Sequence, residues 1–318
     1  MGELEGGARG RWPRGAVTAA VAVVVSGLLL GHARLPRLPG NMMSLLETFL
    51  PWLGLVALAG FVVAAVRRSV VAVVASVLVL AVWAWAFRSA LPPSPGDGPH
   101  DLTVVQHNVS DENTDPARAV RILLGASPDL VALEELTPER LPAYRAALAP
   151  THPHHATVGS VGLWSRYPLR DADRVDIKPR AVADGWERGL RVVVTGPRGG
   201  LTAYVVHLPS VRVRATEGYA TGWRDESARR LGDAIAAEPA DGRVLVVGDL
   251  NGTVDDRGLR PVTSLVGAGR DSFAFSWPAR LPLARIDHVL TRGAVVTRTW
   301  TLPGTGSDHL PIAARVRF

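Results

Sequence analysis

The feature that most constrains this chain is a series of apolar, strand-like runs that end in acidic motifs. Glu134 and Glu135 follow one such run, Asp249 follows a second and Asp287 a third. A further carboxylate, Asp308, stands beside a histidine near the C-terminus, after glycines that permit a tight turn. Each motif alone is weak, but the four together indicate one hydrolytic metal site.

Apolar residues are unevenly distributed along the chain. The sequence is 47% hydrophobic with a mean hydropathy of +0.15, which is high for a soluble enzyme. The excess lies in three segments of the first ninety residues, at about 15–33, 45–66 and 69–87. A membrane-spanning helix needs about 20 apolar residues. Residues 1–90 are therefore predicted to be a membrane anchor with three transmembrane helices, and a cleaved signal peptide is the alternative for the first segment.

Arginines that flank these segments predict the orientation. With the N-terminus inside, five arginines lie on the cytoplasmic side and three on the outer side. Three crossings place the remaining chain outside, which predicts a multi-pass protein of the cell membrane with an extracytoplasmic catalytic domain. A Pro/Gly-rich stretch at 91–100 is predicted to be a stiff linker. The inner arginines are Arg9, Arg11, Arg14, Arg67 and Arg68, and the outer ones are Arg34, Arg37 and Arg88.

Charge and cysteine content exclude several classes of protein. The net charge is +6, but residues 1–99 carry eight arginines and four acids, which leaves only +2 for the rest of the chain. A nucleic-acid binder concentrates positive charge on its binding domain, so nucleic acid is not supported as a partner. The absence of cysteine excludes disulfides, thiolate nucleophiles and Cys-ligated zinc. Nothing in the sequence indicates an oligomeric state.

Beyond the linker, short β-rich runs alternate with helical segments whose apolar spacing suits one buried face. This alternation predicts an α/β or α+β sandwich that forms a single domain over residues 101–318. The strand-like runs are 102–106, 130–133, 161–165, 191–195, 201–206, 244–247 and 286–290, and the helical segments are 116–125, 138–148 and 225–237.

Asp249 and Asn251 form the sharpest of the acidic motifs. They lie two residues apart after an apolar strand, where the carboxylate can align a water and the carboxamide can donate to a phosphate oxygen. The alternative is an Asx turn without catalysis. Mg²⁺ prefers oxygen ligands and keeps several waters, so one or two carboxylates suffice to bind it. Consecutive strand residues point to opposite faces, so only one of Glu134 and Glu135 should reach the ion.

Taken in order, these motifs resemble the endonuclease/exonuclease/phosphatase superfamily, the DNase I-like metal-dependent phosphoesterases. The resemblance covers about residues 101–318. It implies a four-layer α/β sandwich with two packed mixed sheets, here preceded by the three transmembrane helices, and a Mg²⁺ cofactor with Mn²⁺ as the alternative ion. The matching blocks are Gln106-His107-Asn108, Leu133-Glu134-Glu135, Gly162-Leu163-Trp164-Ser165-Arg166-Tyr167-Pro168, His207-Leu208-Pro209-Ser210, Gly248-Asp249-Leu250-Asn251, Arg285-Ile286-Asp287-His288 and Ser307-Asp308-His309.

The resemblance also implies a role for each matching residue. The residues at the metal would be Asn108, Glu135 and Asp308. Glu134 occupies the position where the family commonly has glutamine. His207 would contact the scissile phosphate or protonate the leaving oxygen. Asp249 would orient water, and Asn251 would bind phosphate. Asp287 would pair with His309, the general base or phosphate-stabilising histidine.

A narrower resemblance, carried by the three apolar segments, Trp223-Arg224-Asp225 and the motifs at His207 and Asp249, is to VanJ-type membrane proteins of glycopeptide (teicoplanin) resistance. It implies dephosphorylation of a phosphorylated lipid, an undecaprenyl pyrophosphate-type carrier, at the membrane. The alternatives are an extracellular metal-dependent nuclease and a catalytically inactive membrane receptor. Five arginines either clamp phosphate or only solubilise the chain, and the sequence leaves both interpretations open. These are Arg188, Arg191, Arg212, Arg214 and Arg224.

Overall fold

The computed structural model describes residues 15–36, 38–91, 98–269 and 272–318. Residues 92–97 of the predicted linker lie outside the described residues, as do four of the arginines used to predict orientation, Arg9, Arg11, Arg14 and Arg37. The chain forms two compact units. They are Met1–Pro36 with Phe49–Arg88, and Arg37–Thr48 with Ser89–Phe318.

Among the described residues, four α-helices precede the linker: α1 (Ala16–Gly31), α2 (Met42–Thr48), α3 (Leu53–Val66) and α4 (Val70–Ala86). In the first unit, α1, α3 and α4 pack through a small apolar cluster that includes Val25, Ala57 and Val79. Their other faces expose large apolar side chains, such as Val70 at 77% exposure. A helix that is apolar on all sides is typical of burial or of a membrane.

The prediction of three transmembrane helices is not confirmed. Within the described residues, one helix, Ala16–Arg34, is long and apolar enough to cross a membrane. The apolar run at 45–66 is divided between α2 and α3 by a 3-10 turn at Leu50–Trp52, and it counts as a span only if both pieces are taken together. Pro51 in that turn has no N–H to donate to a continuous helix. The third segment forms the 17-residue helix α4, which is shorter than a usual span.

The helix α2 belongs to the second unit because its polar side chains are bonded there. Glu47, which is 1% exposed, accepts hydrogen bonds from the guanidinium of Arg257, with a shortest distance of 2.9 Å to Nη2. The backbone N–H of Arg257 also donates to Glu47 Oε2 at 2.9 Å. Nearby, the hydroxyl of Ser44 donates to Asp256 at 3.0 Å. Glu47 thus has a structural partner that an apolar transmembrane segment would not provide.

We expect Glu47→Gln to lower the free energy of unfolding of the second unit by about 3 kcal/mol, because the substitution removes the carboxylate charge from a buried ion pair with Arg257. Urea unfolding followed by tryptophan fluorescence would measure the change. The matched control is Glu187→Gln, which breaks the exposed 3.4 Å pair with Arg174 and should cost less than about 1 kcal/mol. Equal unfolding midpoints for the two variants would contradict the prediction.

The second unit contains two six-stranded sheets. The first has the order β13-β14-β1-β2-β4-β3 and the second β11-β12-β10-β7-β6-β5, while β8 and β9 form a separate hairpin. In each sheet one central pair is parallel, β1 with β2 and β10 with β7, and the other pairs are antiparallel. The strands are β1 (Leu102–Asn108), β2 (Leu130–Glu134), β3 (His154–Val158), β4 (Val161–Ser165), β5 (Leu169–Arg174), β6 (Gly189–Gly196), β7 (Gly199–His207), β8 (Arg212–Arg214), β9 (Gly218–Ala220), β10 (Val244–Asp249), β11 (Gly267–Ala268), β12 (Asp287–Arg292), β13 (Val295–Thr301) and β14 (Ile312–Arg317).

Three apolar clusters arrange these sheets and their helices in four layers. One cluster lies between the sheets and joins residues such as Val104 of β1 to Val205 of β7 and Leu245 of β10. A second packs the outer face of the second sheet against α7 and α8, and a third packs the first sheet against α5 and α6. The predicted α/β fold with two packed mixed sheets is confirmed. These helices are α5 (Pro116–Leu124), α6 (Leu141–Leu148), α7 (Gly222–Ala236) and α8 (Arg260–Thr263).

Candidate active site

Strand register brings the predicted catalytic residues to one edge of the sandwich. In the second sheet, Asp249 at the end of β10 is paired with His207 on one side and with Asp287 on the other. In the first sheet, Asn108 ends β1 beside Glu134. The Asn108 amide donates to Asp249 at 3.2 Å, so the two sheets meet at this hydrogen bond.

A glycine permits the close approach that this register needs. Gly248 has a φ of 147°, and a Cβ there would lie 1.9 Å from the carbonyl oxygen of Val206 on the neighbouring strand. Any larger residue would therefore force β7 and β10 apart directly before Asp249. The Gly-Asp sequence is thus explained by packing as well as by chemistry.

Glu134 and Glu135 have different environments. Glu134 is fully buried and accepts a hydrogen bond from Nε2 of Gln106 at 2.7 Å. Burial raises its pKa well above the usual range, and the Asp287 carboxylate raises it further. Glu135 has a φ of 59°, and its partly exposed side chain lines the site cavity, where it accepts hydrogen bonds from Asn108 Nδ2 at 3.1 Å and from the Asp111 N–H at 3.3 Å. Of the two, Glu135 is thus the one placed to contact an ion in the cavity.

Asp287 and His309 form a buried acid–imidazole pair. Asp287 Oδ2 lies 2.8 Å from His309 Nδ1, and its Oδ1 accepts a hydrogen bond from Gln106 at 2.9 Å. Burial alone would lower the pKa of His309, but Asp287 and Asp249 outweigh it and raise the pKa to about 10. Burial would raise the pKa of Asp287, but the charge of His309 keeps it below its usual value. In this pair the imidazole is a cation that presents Nε2–H to the cavity.

Asp249 lies at the centre of the site. Its carboxylate accepts hydrogen bonds from the backbone N–H of Asn251 at 2.9 Å and from the side-chain amides of Asn108 and Asn251, each at 3.2 Å. Burial raises the pKa of Asp249, and although His309 opposes this effect, the result is a pKa of about 7. Such a carboxylate can orient an attacking water and can also accept its proton near neutral pH.

His207 contacts the site from β7. Its Nε2 lies 3.6 Å from Asp249 and 3.8 Å from Glu135. Arg188 Nη1 lies 3.1 Å from Nδ1 and 3.4 Å from Nε2 of the same ring. Burial and the positive charge of Arg188 hold the pKa of His207 well below its usual value. A neutral imidazole accepts the hydrogen bond from Arg188, so His207 hydrogen-bonds here as the neutral ring.

Asn251 is held in place by a buried arginine that the sequence left ambiguous. Arg224 Nη1 donates to the carbonyl oxygen of Asn251 at 3.1 Å. The same guanidinium donates to Asp225 at 2.7 Å and to Asp256 at 2.8 Å. These contacts show that Arg224 is a structural residue beneath the site. Since both of its carboxylate partners are close, it is not a phosphate clamp.

Asp308 is brought to the cavity but not to the hydrogen-bonded cluster. Its exposed side chain lines the same cavity of about 500 Å³ as Glu135, Asp249 and His309. Within the described residues, no hydrogen bond or ion pair joins its carboxylate to another predicted site residue. Asp308 therefore belongs to the wall of the site, and its predicted contact with a metal remains a prediction.

The donor set fits a hard divalent cation. Asp249, Asp287 and His309 offer ligand atoms that all lie within 4.8 Å of one another. In that set, Asp287 and His309 already bond each other, whereas the Glu135 carboxylate opens onto the cavity. Asn108 Oδ1 accepts from the Ser110 N–H at 3.1 Å and has a second lone pair. Carboxylate and amide oxygens are the ligands that Mg²⁺ prefers.

The sequence interpretation assigned no role to the residues that support the site. Gln106 donates to both Glu134 and Asp287, and His107 contacts Thr305 at 2.7 Å. The signal that could have identified Gln106 is its place within an otherwise apolar strand, because a buried amide needs partners. Arg188 contacts the ring of His207 and was assigned no specific partner in the sequence interpretation.

Comparison with known proteins decides the family. Residues 105–309, more than half of the chain, match the Endonuclease/Exonuclease/phosphatase family. The chain belongs to this family. The predicted DNase I-like resemblance is thereby confirmed, and family membership supports a metal-dependent phosphoester hydrolase. No curated protein sequence matches the chain.

Solved structures of the family share the fold at low sequence identity. Sphingomyelinase C from Streptomyces griseocarneus is 20% identical with a TM-score of 0.51, and the match covers 69% of this chain and 99% of that one. D. rerio TDP2, humanized by 14 mutations, is 20% identical with a TM-score of 0.55, over 68% and 99%. A Staphylococcus aureus beta toxin mutant with bound magnesium ions is 15% identical with a TM-score of 0.51, over 68% and 99%.

Proposed function

We propose that this chain is a membrane-anchored, Mg²⁺-dependent phosphohydrolase that acts outside the cytoplasm on a lipid diphosphate of the undecaprenyl pyrophosphate type. The observation that carries the hydrolase assignment is the convergence of Glu135, Asp249 and the Asp287–His309 pair on one cavity. Family membership supports the same reaction class. The magnesium ions bound to the beta toxin mutant support the choice of ion.

Each site residue has a proposed task. Glu135, with Asn108 and Asp308 beside it, would hold Mg²⁺. The ion would neutralise charge on the phosphoryl oxygens and help to generate a nucleophile from water.

The remaining residues act on the water and the phosphate. Asp249 orients the attacking water and takes its proton, and Asn251 donates to a phosphate oxygen. The imidazolium of His309, held by Asp287, donates Nε2–H to the developing charge on phosphate. His207, which is buried with its Nε2 3.6 Å from Asp249, would contact the scissile phosphate.

The membrane and lipid parts of the proposal rest on the apolar N-terminal region. One helix there can cross a membrane, and the apolar faces of α1, α3 and α4 are exposed. The multi-pass topology, the outward orientation and a link to glycopeptide resistance through VanJ-type relatives remain predictions from the sequence. An enzyme tethered in this way would meet lipid phosphates at the bilayer surface.

A nuclease is the second candidate, because one neighbour is D. rerio TDP2 complexed with a single-strand DNA product. The net charge of only +2 beyond residue 99 disfavours it. The third candidate, an inactive receptor on the same fold, is disfavoured because every predicted catalytic acid and histidine reaches the site.

The test is phosphate release by the detergent-solubilised full-length protein, assayed with Mg²⁺ and with EDTA. Undecaprenyl pyrophosphate and plasmid DNA are compared side by side. We expect Mg²⁺-dependent release from the lipid and little cleavage of DNA. Cleavage of DNA alone would replace the lipid assignment by the nuclease, and no turnover of either substrate would favour the receptor.

A further inference from the structure

A second cavity adjoins the catalytic one. It measures about 550 Å³, and its walls include Trp186, Arg188, Arg214 and Trp223. None of the predicted metal-binding or catalytic residues lines this second cavity. Ser210 and Arg212 line both cavities, so a ligand can extend from one into the other. The second cavity is thus placed to receive the part of a substrate that lies beyond the scissile phosphate.

The charge of this cavity is opposite to that of the catalytic one. Arg188, Arg212 and Arg214 line it, against a single acid, Glu217, which pairs with Arg214 at 3.0 Å. In the described part of the chain, no carboxylate forms an ion pair with Arg188 or Arg212. Arg188 lies over the ring of Trp186 at 5.1 Å and points its guanidinium toward His207. Guanidinium groups without a carboxylate partner match the geometry and charge of a phosphate.

Apolar surface lies beside these guanidinium groups. Trp223, which lines the cavity, is 47% exposed. Arg214 extends over Trp223 at 5.9 Å, so cationic and aromatic groups share one wall. The β8–β9 hairpin is fixed through β9, because Asn41 Nδ2 donates a hydrogen bond to the carbonyl oxygen of Tyr219 at 2.9 Å. A phosphate joined to an apolar chain has the two chemical features that this wall offers.

We propose that the second cavity binds the leaving group of a diphosphate substrate, with its phosphate on Arg212 and Arg188 and its apolar chain on Trp223. This inference rests on the proposed hydrolase function. In the reaction, the water oxygen forms a bond to the terminal phosphorus, and the bond from that phosphorus to the bridging oxygen breaks. The bridging oxygen leaves with the lipid monophosphate, inorganic phosphate is released, and one water proton passes to Asp249 and then to solvent.

The test compares farnesyl diphosphate, inorganic pyrophosphate and farnesyl monophosphate as substrates of the full-length protein in detergent with Mg²⁺. We expect Arg212→Gln to lower kcat/KM for both diphosphates about 10- to 100-fold relative to the monophosphate. Arg212→Lys should restore part of that preference. Trp223→Ser should raise KM for farnesyl diphosphate but should change KM for inorganic pyrophosphate much less. The matched control is Arg229→Gln, an exposed arginine of α7 outside both cavities, which should change none of these ratios.

The outcomes separate this inference from the function on which it rests. If the wild-type protein hydrolyses these phosphate compounds but Arg212→Gln leaves the diphosphate preference unchanged, the second-phosphate site is wrong and the hydrolase stands. If the wild-type protein shows no metal-dependent hydrolysis of any phosphate compound, the proposed function itself fails. Equal losses with Arg212→Gln and Arg229→Gln would show a general charge effect and would also overturn the site.

Discussion

Replacing His309 with glutamine is expected to lower kcat/KM for phosphoester hydrolysis by about 10²–10⁴-fold, the usual contribution of a positioned proton donor or acceptor. Glutamine keeps a polar side chain of similar reach but cannot carry the imidazolium charge that Asp287 and Asp249 stabilise. The loss should appear in kcat, because the interaction with phosphate strengthens as charge develops in the transition state. Steady-state kinetics at saturating Mg²⁺ would measure it.

The control for this variant is His100→Gln, which alters an exposed histidine that lines neither cavity. It should leave kcat and KM unchanged. Circular dichroism and thermal unfolding of His309→Gln would establish that the fold persists. If the folded His309→Gln protein turned over substrate at the wild-type rate, the assignment of this cavity as the catalytic centre would be refuted.

Replacing Glu135 with glutamine is expected to weaken Mg²⁺ binding by about 100-fold or more, since even residues that only orient a metal ligand typically contribute 10–100-fold to affinity. The carboxylate faces the cavity, so its neutral isostere removes charge without removing volume. Isothermal titration with Mg²⁺ would measure affinity directly, and the Mg²⁺ concentration for half-maximal activity would be measured in parallel.

The neighbouring residue supplies a matched control for the metal prediction. Glu134 is fully buried and does not line the cavity, so glutamine there removes no carboxylate from the cavity wall. Glu134→Gln should therefore retain Mg²⁺ affinity and activity within about tenfold. If Glu134→Gln abolished Mg²⁺ binding and Glu135→Gln did not, the assignment of the two glutamates would have to be exchanged.

Several parts of this fold could be predicted because their signals are local. The run at 161–165 is identical in prediction and structure, and β10 extends its predicted run by only two residues, to Asp249. Both strands consist of contiguous buried residues that end at a polar turn. Helix α5 begins at the predicted Pro116, where Asp115 caps the helix by accepting from the Arg118 N–H.

Other strands were missed because tertiary pairing, not local pattern, makes them strands. β14 is an interior strand of the first sheet, between β13 and β1, yet Arg315 and Arg317 interrupt its apolar residues. The edge strand β5 is mostly exposed and polar, and its pairing with β6 is irregular between Arg170 and Asp173. Such edge strands have no continuous apolar face from which a prediction could start.

The prediction of transmembrane helices was also limited because hydropathy contains no information on tertiary contacts. Hydropathy counts apolar residues in a window and so merged residues 45–48 with the following helix. The structure instead places Glu47 against Arg257, which lies 210 positions further along the chain. No local pattern in the sequence records that ion pair.

By itself, the sequence determined the order of the acidic motifs, the α/β class and the family, because strand periodicity, turns and motif spacing are properties of neighbouring residues. Only the tertiary structure decided that Glu135 rather than Glu134 faces the cavity, and that Arg224 is buried against Asp256 while Arg212 lines the second cavity. It also decided which apolar segment forms a single long helix. The physical reason is that burial, charge pairing and cavity shape depend on residues far apart in the chain, which meet only when the two sheets pack.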